Sequence, residues 1–298
     1  MITRRTTLAG IAAASALPGL ARAQDAWPTR PVRIIIPFAA SGGADTFTRL
    51  MTEPLAQALG QPFVVENRPG GGGVIGTDAA AKAAPDGHTL LMLTVTLTAN
   101  ETLMPNRPYV LLRDFVPIAN LNRTLQVLVV NPNLPVNNVA ELIAHAKARP
   151  GQLDYSTAGP GTPYHIAFEL FRHMAGIEVQ HIPFRLSGDA RNAVVGGQVP
   201  MMFDGIATML PLIRAGRVRA LATTGTERSP LMPDLPTVAE TLPGYQQTGF
   251  NGLLAPAGTP RLVVERMNAA VNRILATEHL REQFGRLGAE PAPMTPDQ

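Results

Sequence analysis

Two turns that combine glycine with hydroxyl side chains are the segments of this sequence best suited to bind a ligand. They are residues 41–43 (Ser-Gly-Gly) and residues 156–163 (Ser-Thr-Ala-Gly-Pro-Gly-Thr-Pro). Each precedes apolar residues at helical spacing, and the first N–H groups of a helix lack partners within it and lie at its positive end. Residues 38–47 contain no lysine or arginine. The first turn therefore predicts a carboxylate bound by backbone donors and hydroxyls rather than by ion pairs.

A strand and a helix must hold each turn in place. Before the first turn, the bounded apolar run Val32–Ile36 is typical of a buried strand, and the helical pattern after it ends at Gly60. Before the second turn, residues 153–155 favour a short strand. Thr162 followed by Pro163 is typical of a helix N-cap and first helical position. The same strand, turn and helix arrangement therefore occurs twice.

The rest of the chain alternates strands with helices, which favours parallel pairing. Further strands are predicted at 63–66, 89–93, 115–119, 125–130, 179–183, 199–203, 218–223 and 249–255, and further helices at 79–84, from 139, and at 187–195, 208–215, 260–276 and 278–286. We expect two α/β lobes, each a mainly parallel sheet flanked by helices, with residues 24–122 and 249–298 in lobe 1 and residues 123–248 in lobe 2. Because the two turns belong to different lobes, the interlobe cleft is the predicted ligand site.

Length and composition limit the class of protein. The 298 residues suffice for two domains, and residues 1–23 have the pattern of an export signal, with Arg4, Arg5, an uncharged run and Ala-Arg-Ala before Gln24. Both a Tat-like and a Sec route fit this pattern. Removing the signal takes three of 25 basic residues and none of the 22 acidic ones, so the formal net charge becomes zero. This balance argues against nucleic-acid binding, and the absence of cysteine excludes disulfides and thiolate chemistry.

Five side chains near the turns and strand ends admit either a ligand-binding or a structural role. Asp45 either meets the ligand or complements the helix dipole, and the structural role is favoured. His165 and Glu169, one helical turn apart, form a metal pair or merely cap and pack, and packing is favoured. Asp204 at a strand end faces the cleft or the core, and Arg185 reaches a second carboxylate or solvent, with neither role preferred.

Motifs for cofactor binding and catalysis are weak in this sequence. The glycine pattern at residues 71–76 follows a proline and an arginine, and no acidic residue stands about twenty positions further on. It therefore predicts a structural loop rather than a dinucleotide site. The sequence also has no Gly-x-Ser-x-Gly elbow, cysteine nucleophile or zinc motif. We predict no cofactor and no metal.

A series of short segments, in this order along the chain, resembles the periplasmic substrate-binding receptors of tripartite tricarboxylate transporters, often called Bug receptors. Together with the signal, these segments cover nearly all of the sequence. The resemblance implies a two-lobed periplasmic-binding-protein (Venus flytrap) fold. The segments are 37–40 with Gly42, Gly43 and Asp45, then 66–70, 156–165, 196–199, 202–204 and 254–260.

The resemblance also implies that the turns after the first strand of each lobe hold a small carboxylate, partly through water. The implied positions are Phe38, Ser41, Gly42, Gly43, Ala44 and Asp45 in one lobe, and Ser156, Thr157, Ala158, Gly161, Thr162 and His165 in the other. Asp204 joins these candidates because of its place at a strand end. This sequence departs from the family pattern at Ser41, where glycine is usual, and at Arg185 and Leu186, where lysine and glycine are usual.

The function implied by the resemblance is that of a periplasmic monomer that captures a small carboxylate and delivers it to the permease subunits of a tripartite tricarboxylate transporter. No enzymatic turnover is expected. Two alternatives stay open: a ligand sensor for a membrane signalling protein, and an exported enzyme that acts on a small carboxylate through His165 with Asp204 or Asp45. The family usually ends with a further helix that this sequence lacks, so a truncated and a complete C-terminus are both open.

Overall fold

The structure, a computed structural model, describes residues 27–40 and 42–298. The predicted export signal at residues 1–23 and Ser41 of the first turn lie outside the described residues. The strands are β1 (Val32–Ile36), β2 (Phe63–Asn67), β3 (Thr89–Thr94), β4 (Phe115–Thr124), β5 (Gln126–Val130), β6 (Leu153–Thr157), β7 (Val179–Pro183), β8 (Met201–Gly205), β9 (Arg219–Thr223), β10 (Gly249–Pro256) and β11 (Ala289–Pro291).

Ten α-helices lie between and after the strands of the described chain. They are α1 (Gly43–Leu59), α2 (Val74–Ala81), α3 (Val95–Leu103), α4 (Leu111–Asp114), α5 (Val139–Lys147), α6 (Pro163–Ala175), α7 (Ser187–Val195), α8 (Ile206–Arg214), α9 (Arg261–Leu275) and α10 (Glu278–Arg286), with short 3-10 turns at Gly71–Gly73 and Val238–Glu240. The first helix forms as its pattern predicts, because Phe47, Met51 and Leu55 bury one face and left-handed Gly60 ends it.

The strands assemble into two sheets, and each sheet with its helices is one lobe. The first lobe has six strands in the order β11-β4-β10-β3-β1-β2, and the second has five in the order β7-β6-β8-β5-β9. These two helix-flanked sheets confirm the predicted α/β class. The pairing is more mixed than predicted: β1 is parallel to β2 and β3, and β6 to β7 and β8, but β4, β5, β10 and β11 pair antiparallel. The exact lobe boundaries remain a prediction.

Each lobe has its own apolar core on the faces of its sheet. In the first lobe, β1 and α1 pack with α9 and α10, and the Phe47 and Phe284 rings meet edge to face at 5.1 Å. In the second lobe, the rings of Tyr155 and Phe168 stack at 3.9 Å between centroids. Among residues 27–40 and 42–298, no helix combines the length and apolar character that crossing a membrane requires.

Several elements differ from the sequence prediction, and helices α3 and α4 and strand β11 were not predicted at all. Helix α2 begins at Val74, not at 79, because left-handed Gly72 and Gly73 turn the chain directly into it. Residues 120–124, which lie between the predicted strands 115–119 and 125–130, are instead part of the continuous strand β4, which pairs on both sides with β10 and β11. Helix α8 begins at Ile206, two residues before its predicted start.

Helix α2 presses against the end of β1, and one glycine makes this contact possible. A Cβ on Gly76 would lie 2.7 Å from the Arg68 carbonyl oxygen and 2.8 Å from Pro37 Cα. We therefore expect Gly76→Ala to lower the free energy of unfolding by about 1–3 kcal/mol, although alanine favours helices. Gly285→Ala in α10 is the matched control, because a Cβ there meets nothing within 4 Å.

The control should be neutral or stabilise the protein by up to about 1 kcal/mol. Urea unfolding followed by circular dichroism measures both changes. Equal effects of the two substitutions would mean that the close approach of α2 to β1 does not constrain the fold.

Candidate functional site

A cavity of about 530 Å³ lies between the two lobes. Both sheets contribute to its wall through strand ends and helix starts. The lining residues that matter below are Phe38, Gly42, Gly43, Ala44, Asp45, Thr94, Thr96, Gln126, Ala158, Thr162, Tyr164, Gly205, Ile206, Ala207, Thr208, Phe250 and Asn251. The cavity is therefore the predicted interlobe cleft, with more elements around it than the sequence indicated.

The start of α1 forms the first-lobe wall. The predicted site residues Phe38, Gly42, Gly43, Ala44 and Asp45 all line the cavity. Gly42 is the N-cap in an extended conformation, and being a glycine it makes no side-chain cap hydrogen bond. The N–H groups of the first turn have no acceptor within the helix, and the dipole adds positive potential there. This wall suits an anion.

Asp45 lines the cavity, but its carboxylate is already engaged within the first lobe. It accepts a hydrogen bond from Arg49 Nε at 2.9 Å and another from Asn67 Nδ2 at 3.0 Å, and the residue is buried. The hydrogen bond between Asp45 and Arg49 is the largest cause of a raised pKa of Arg49. These contacts fit the structural role that the sequence favoured for Asp45.

The β6–α6 turn of the second lobe contributes Ala158 and Thr162 to the wall. The predicted cap is confirmed: Thr162 Oγ1 accepts a hydrogen bond from the His165 N–H at 3.4 Å, and Pro163 occupies the first helical position. The Gly161 N–H donates to His165 Nδ1 at 3.3 Å. The turn thus satisfies several of its own donors.

Four other predicted residues of this turn lie outside the set that lines the cavity. Ser156 is buried and donates to the Ala190 carbonyl at 3.0 Å, and Thr157 Oγ1 lies 2.6 Å from His181 Nε2. Gly161 and His165 contact each other, as described above. Direct contact of these four residues with a ligand remains a prediction.

Asp204 is fully buried, one residue behind the cavity wall. It accepts hydrogen bonds from Arg191 Nε at 2.9 Å, from the Gly205 N–H at 2.7 Å and from the Tyr164 hydroxyl. Burial raises the pKa of Asp204, and the Arg191 guanidinium opposes this shift. Since Tyr164 and Gly205 both line the cavity, Asp204 holds two pieces of the wall in position.

The start of α8 is the part of the wall that sequence reasoning missed. Gly205 is its N-cap without a side-chain bond, and residues 205–208 line the cavity. The sequence here again has a strand, a glycine and then apolar residues at helical spacing. The signal was therefore present, but the predicted helix begins at 208, two residues after the observed start at Ile206. Thr94 and Thr96 at the start of α3, and Gln126 and Asn251 at strand positions, were also missed.

Two other sequence hypotheses concern ions and charges. Among the described residues, no group of three or more histidine, aspartate and glutamate side chains could hold a metal ion, so the pair of His165 and Glu169 has no third ligand of these types there. Arg185 is exposed and lies outside the cavity lining.

A pair of histidines supports the β6–α6 turn. The rings of His165 and His181 lie 4.5 Å apart, and His181 also stacks on Tyr155 at 4.9 Å. Burial lowers the pKa of both imidazoles, and that of His181 falls to about 4 with a further contribution from His165. Near neutral pH both rings are therefore uncharged, which leaves His165 Nδ1 able to accept the Gly161 N–H.

Comparison with known proteins identifies relatives over nearly the whole chain. Residues 47–298 match the family model described as tripartite tricarboxylate transporter family receptor. Protein BugT of Bordetella pertussis is 37% identical over 300 residues, covering 100% of this chain and 92% of that protein.

Solved structures of similar sequence share the fold. A protein of R. palustris solved with adipate is 34% identical, with a TM-score of 0.81 and 91% of each chain covered. MatC from Rhodopseudomonas palustris, with bound malate, is 36% identical, with a TM-score of 0.77 and coverage of 89% of this chain and 90% of that chain.

The histidine pair predicts a loss of stability in acid. The pKa of His181 is about 4 in the folded protein and near 6.5 in the unfolded chain. Between these pH values the unfolded chain binds more protons than the folded protein, so the stability falls as the pH drops through this window. The Tm of wild type should fall between neutral pH and about pH 4. We expect this fall to be smaller by roughly 2–4 °C in His181→Gln.

Exposed His279 in α10 offers the control, since His279→Gln should leave the acid dependence of wild type unchanged. Thermal unfolding at a series of pH values makes the comparison. Parallel curves for wild type and His181→Gln would show that His181 titrates in the folded protein as it does in the unfolded chain.

Proposed function

The chain belongs to the tripartite tricarboxylate transporter receptor family, and from this membership we propose that it captures a small carboxylate in the interlobe cavity and delivers it to a membrane transporter. The observation that carries the proposal is the glycine-capped start of α1 in the cavity wall. A carboxylate there accepts charge-assisted hydrogen bonds, each contributing about 1.5–3 kcal/mol. Backbone donors thus offset its desolvation.

The second lobe closes over the ligand from the opposite side in this proposal. The β6–α6 turn supplies Ala158 and Thr162, and the start of α8 supplies Gly205 to Thr208. A Cβ on Gly161 would lie 3.2 Å from Leu103 Cδ1 of α3, so this turn already touches the first lobe. Tight closure therefore needs glycine at 161.

The cellular role follows from the family and from the signal pattern. We propose that residues 1–23 direct export to the periplasm, where the mature chain binds its ligand without chemical change and presents it to the permease subunits of the transporter. The solved relatives bound to adipate and malate support a small organic acid as the ligand class.

Ligand binding should stabilise the protein without turnover. We expect small mono- or dicarboxylates to raise the Tm, since a ligand at one hundred times its Kd adds about 2.7 kcal/mol. Calorimetry should give one ligand per chain, and NMR of the released ligand should show it unchanged. Recovery of a converted product would contradict the receptor function and support an enzyme.

Binding should depend more on the second turn's backbone than on the Asp45 charge. Gly161 has φ +74°, and any side chain there meets Leu103, so we expect Gly161→Val to weaken carboxylate binding by at least about tenfold. Asp45→Asn keeps the shape of the site and should change the Kd by less than about threefold, because the Asp45 carboxylate already pairs with Arg49.

Gly176→Val controls for backbone strain alone. Gly176 has φ +60°, like Gly161, but a Cβ there meets nothing within 4 Å, and the residue lies at the far end of α6. Isothermal titration calorimetry on the three variants tests the order. A larger effect of Asp45→Asn than of Gly161→Val would mean that a side-chain charge dominates recognition.

A further inference from the structure

A glutamine whose side-chain amide makes no hydrogen bond with the described residues lies in the wall of the cavity. Gln126 is the first residue of β5, is 1% exposed and lines the cavity. Its Nε2 and Oε1 atoms are buried, and neither makes a hydrogen bond with the described residues. Buried amide groups are nearly always paired in folded proteins, so this one is available to a ligand.

Two neighbours of the Gln126 side chain are glycines, which place no side chain against its amide. Gln126 faces Gly205 across the β5–β8 pair, and a Cβ on Gly249 would lie 3.7 Å from Gln126 Nε2. Thr94 Oγ1, also in the cavity wall, is likewise buried and makes no hydrogen bond with the described residues. The wall thus offers donors and acceptors beyond the start of α1.

The described side chains around the cavity offer no positive charge to a second anionic group on the ligand. None of the described residues that line it is a lysine, arginine or histidine. At the start of α8, the buried carboxylate of Asp204 already accepts the Gly205 N–H at 2.7 Å. A second ionised carboxylate on a ligand would therefore depend on neutral donors alone in the described part of the wall, and one of those at the start of α8 is already used by Asp204.

The two side-chain amide atoms of Gln126 have opposite hydrogen-bonding roles. Nε2 donates and Oε1 accepts, so a matching group must both accept and donate a hydrogen bond. A primary amide or a hydroxyl does so. An ionised carboxylate satisfies Nε2 but places a second acceptor against Oε1 and leaves that atom unpaired.

We propose that Gln126 is a specificity-determining residue that binds the end of the ligand remote from α1, and that it selects monocarboxylates carrying an uncharged donor-acceptor group, such as a primary amide, over dicarboxylates. This inference rests on the proposed function, because the first carboxylate must be held at the start of α1. It narrows the ligand from any small organic acid to a monoanion with a neutral polar end.

Matched pairs of ligands test the selection. Succinate, glutarate and adipate are each compared with their own monoamide by isothermal titration calorimetry, using protein that was unfolded and refolded to remove any bound ligand. We expect wild type to bind at least one monoamide about tenfold or more tightly than the dicarboxylate of the same length. Gln126→Met should abolish this preference, mainly by weakening the monoamide.

Gln247 provides the matched control. It is 6% exposed, both of its amide atoms are also buried without a hydrogen bond to the described residues, and it lies outside the cavity lining. Gln247→Met should therefore retain the preference for the monoamide.

The outcomes separate this inference from the proposed function. Equal or tighter binding of the dicarboxylate in every pair by wild type overturns the inference, even if Gln126→Met fails to fold. A monoamide preference that survives in folded Gln126→Met overturns it too. Failure of every dicarboxylate, monoamide and simple monocarboxylate to bind overturns the proposed function, and the inference with it.

Discussion

Backbone donors at the start of α1 that have no acceptor within the helix are the constraint on which the rest of the structure depends. Gly42 caps the helix without a side-chain acceptor, and the first turn lines the interlobe cavity. Such donors need an acceptor from water or from a ligand. Buried β1 and the packed face of α1 fix the direction of this helix start, and the close contact of Gly76 with Pro37 fixes the segment that leads into Phe38.

The second lobe meets the same cavity in a different way. Its β6–α6 turn uses several donors internally, through Thr162 and His165, and is therefore held in shape before any ligand arrives. The start of α8 lies beside it, positioned by Asp204 through Gly205 and Tyr164. The first lobe thus supplies backbone donors, and the second lobe supplies a surface that is already ordered. This order lowers the entropic cost of binding.

Local signals made much of this predictable from sequence. The turn before α1 and the cap at Thr162 depend on residues close together in the chain, and both were placed correctly. The polar stretch at residues 120–124 was misread because its strand character comes from β10 and β11, which are distant in sequence. The place of Gln126 in the cavity wall carried no local signal, since its neighbours Gly205 and Gly249 lie in two other strands. The start of α8 could have been found by applying the strand, glycine and helix pattern once more.

Amide chemical shifts measure the central claim most directly. In ¹H–¹⁵N spectra of the labelled protein titrated with a binding carboxylate, a hydrogen bond to the anion moves the proton of the donating N–H downfield. The account predicts the largest downfield shifts at the amides of Gly43 and Ala44, with smaller changes in residues 205–208. Unchanged signals from the start of α1, together with the largest shifts on surfaces away from the cavity, would contradict it.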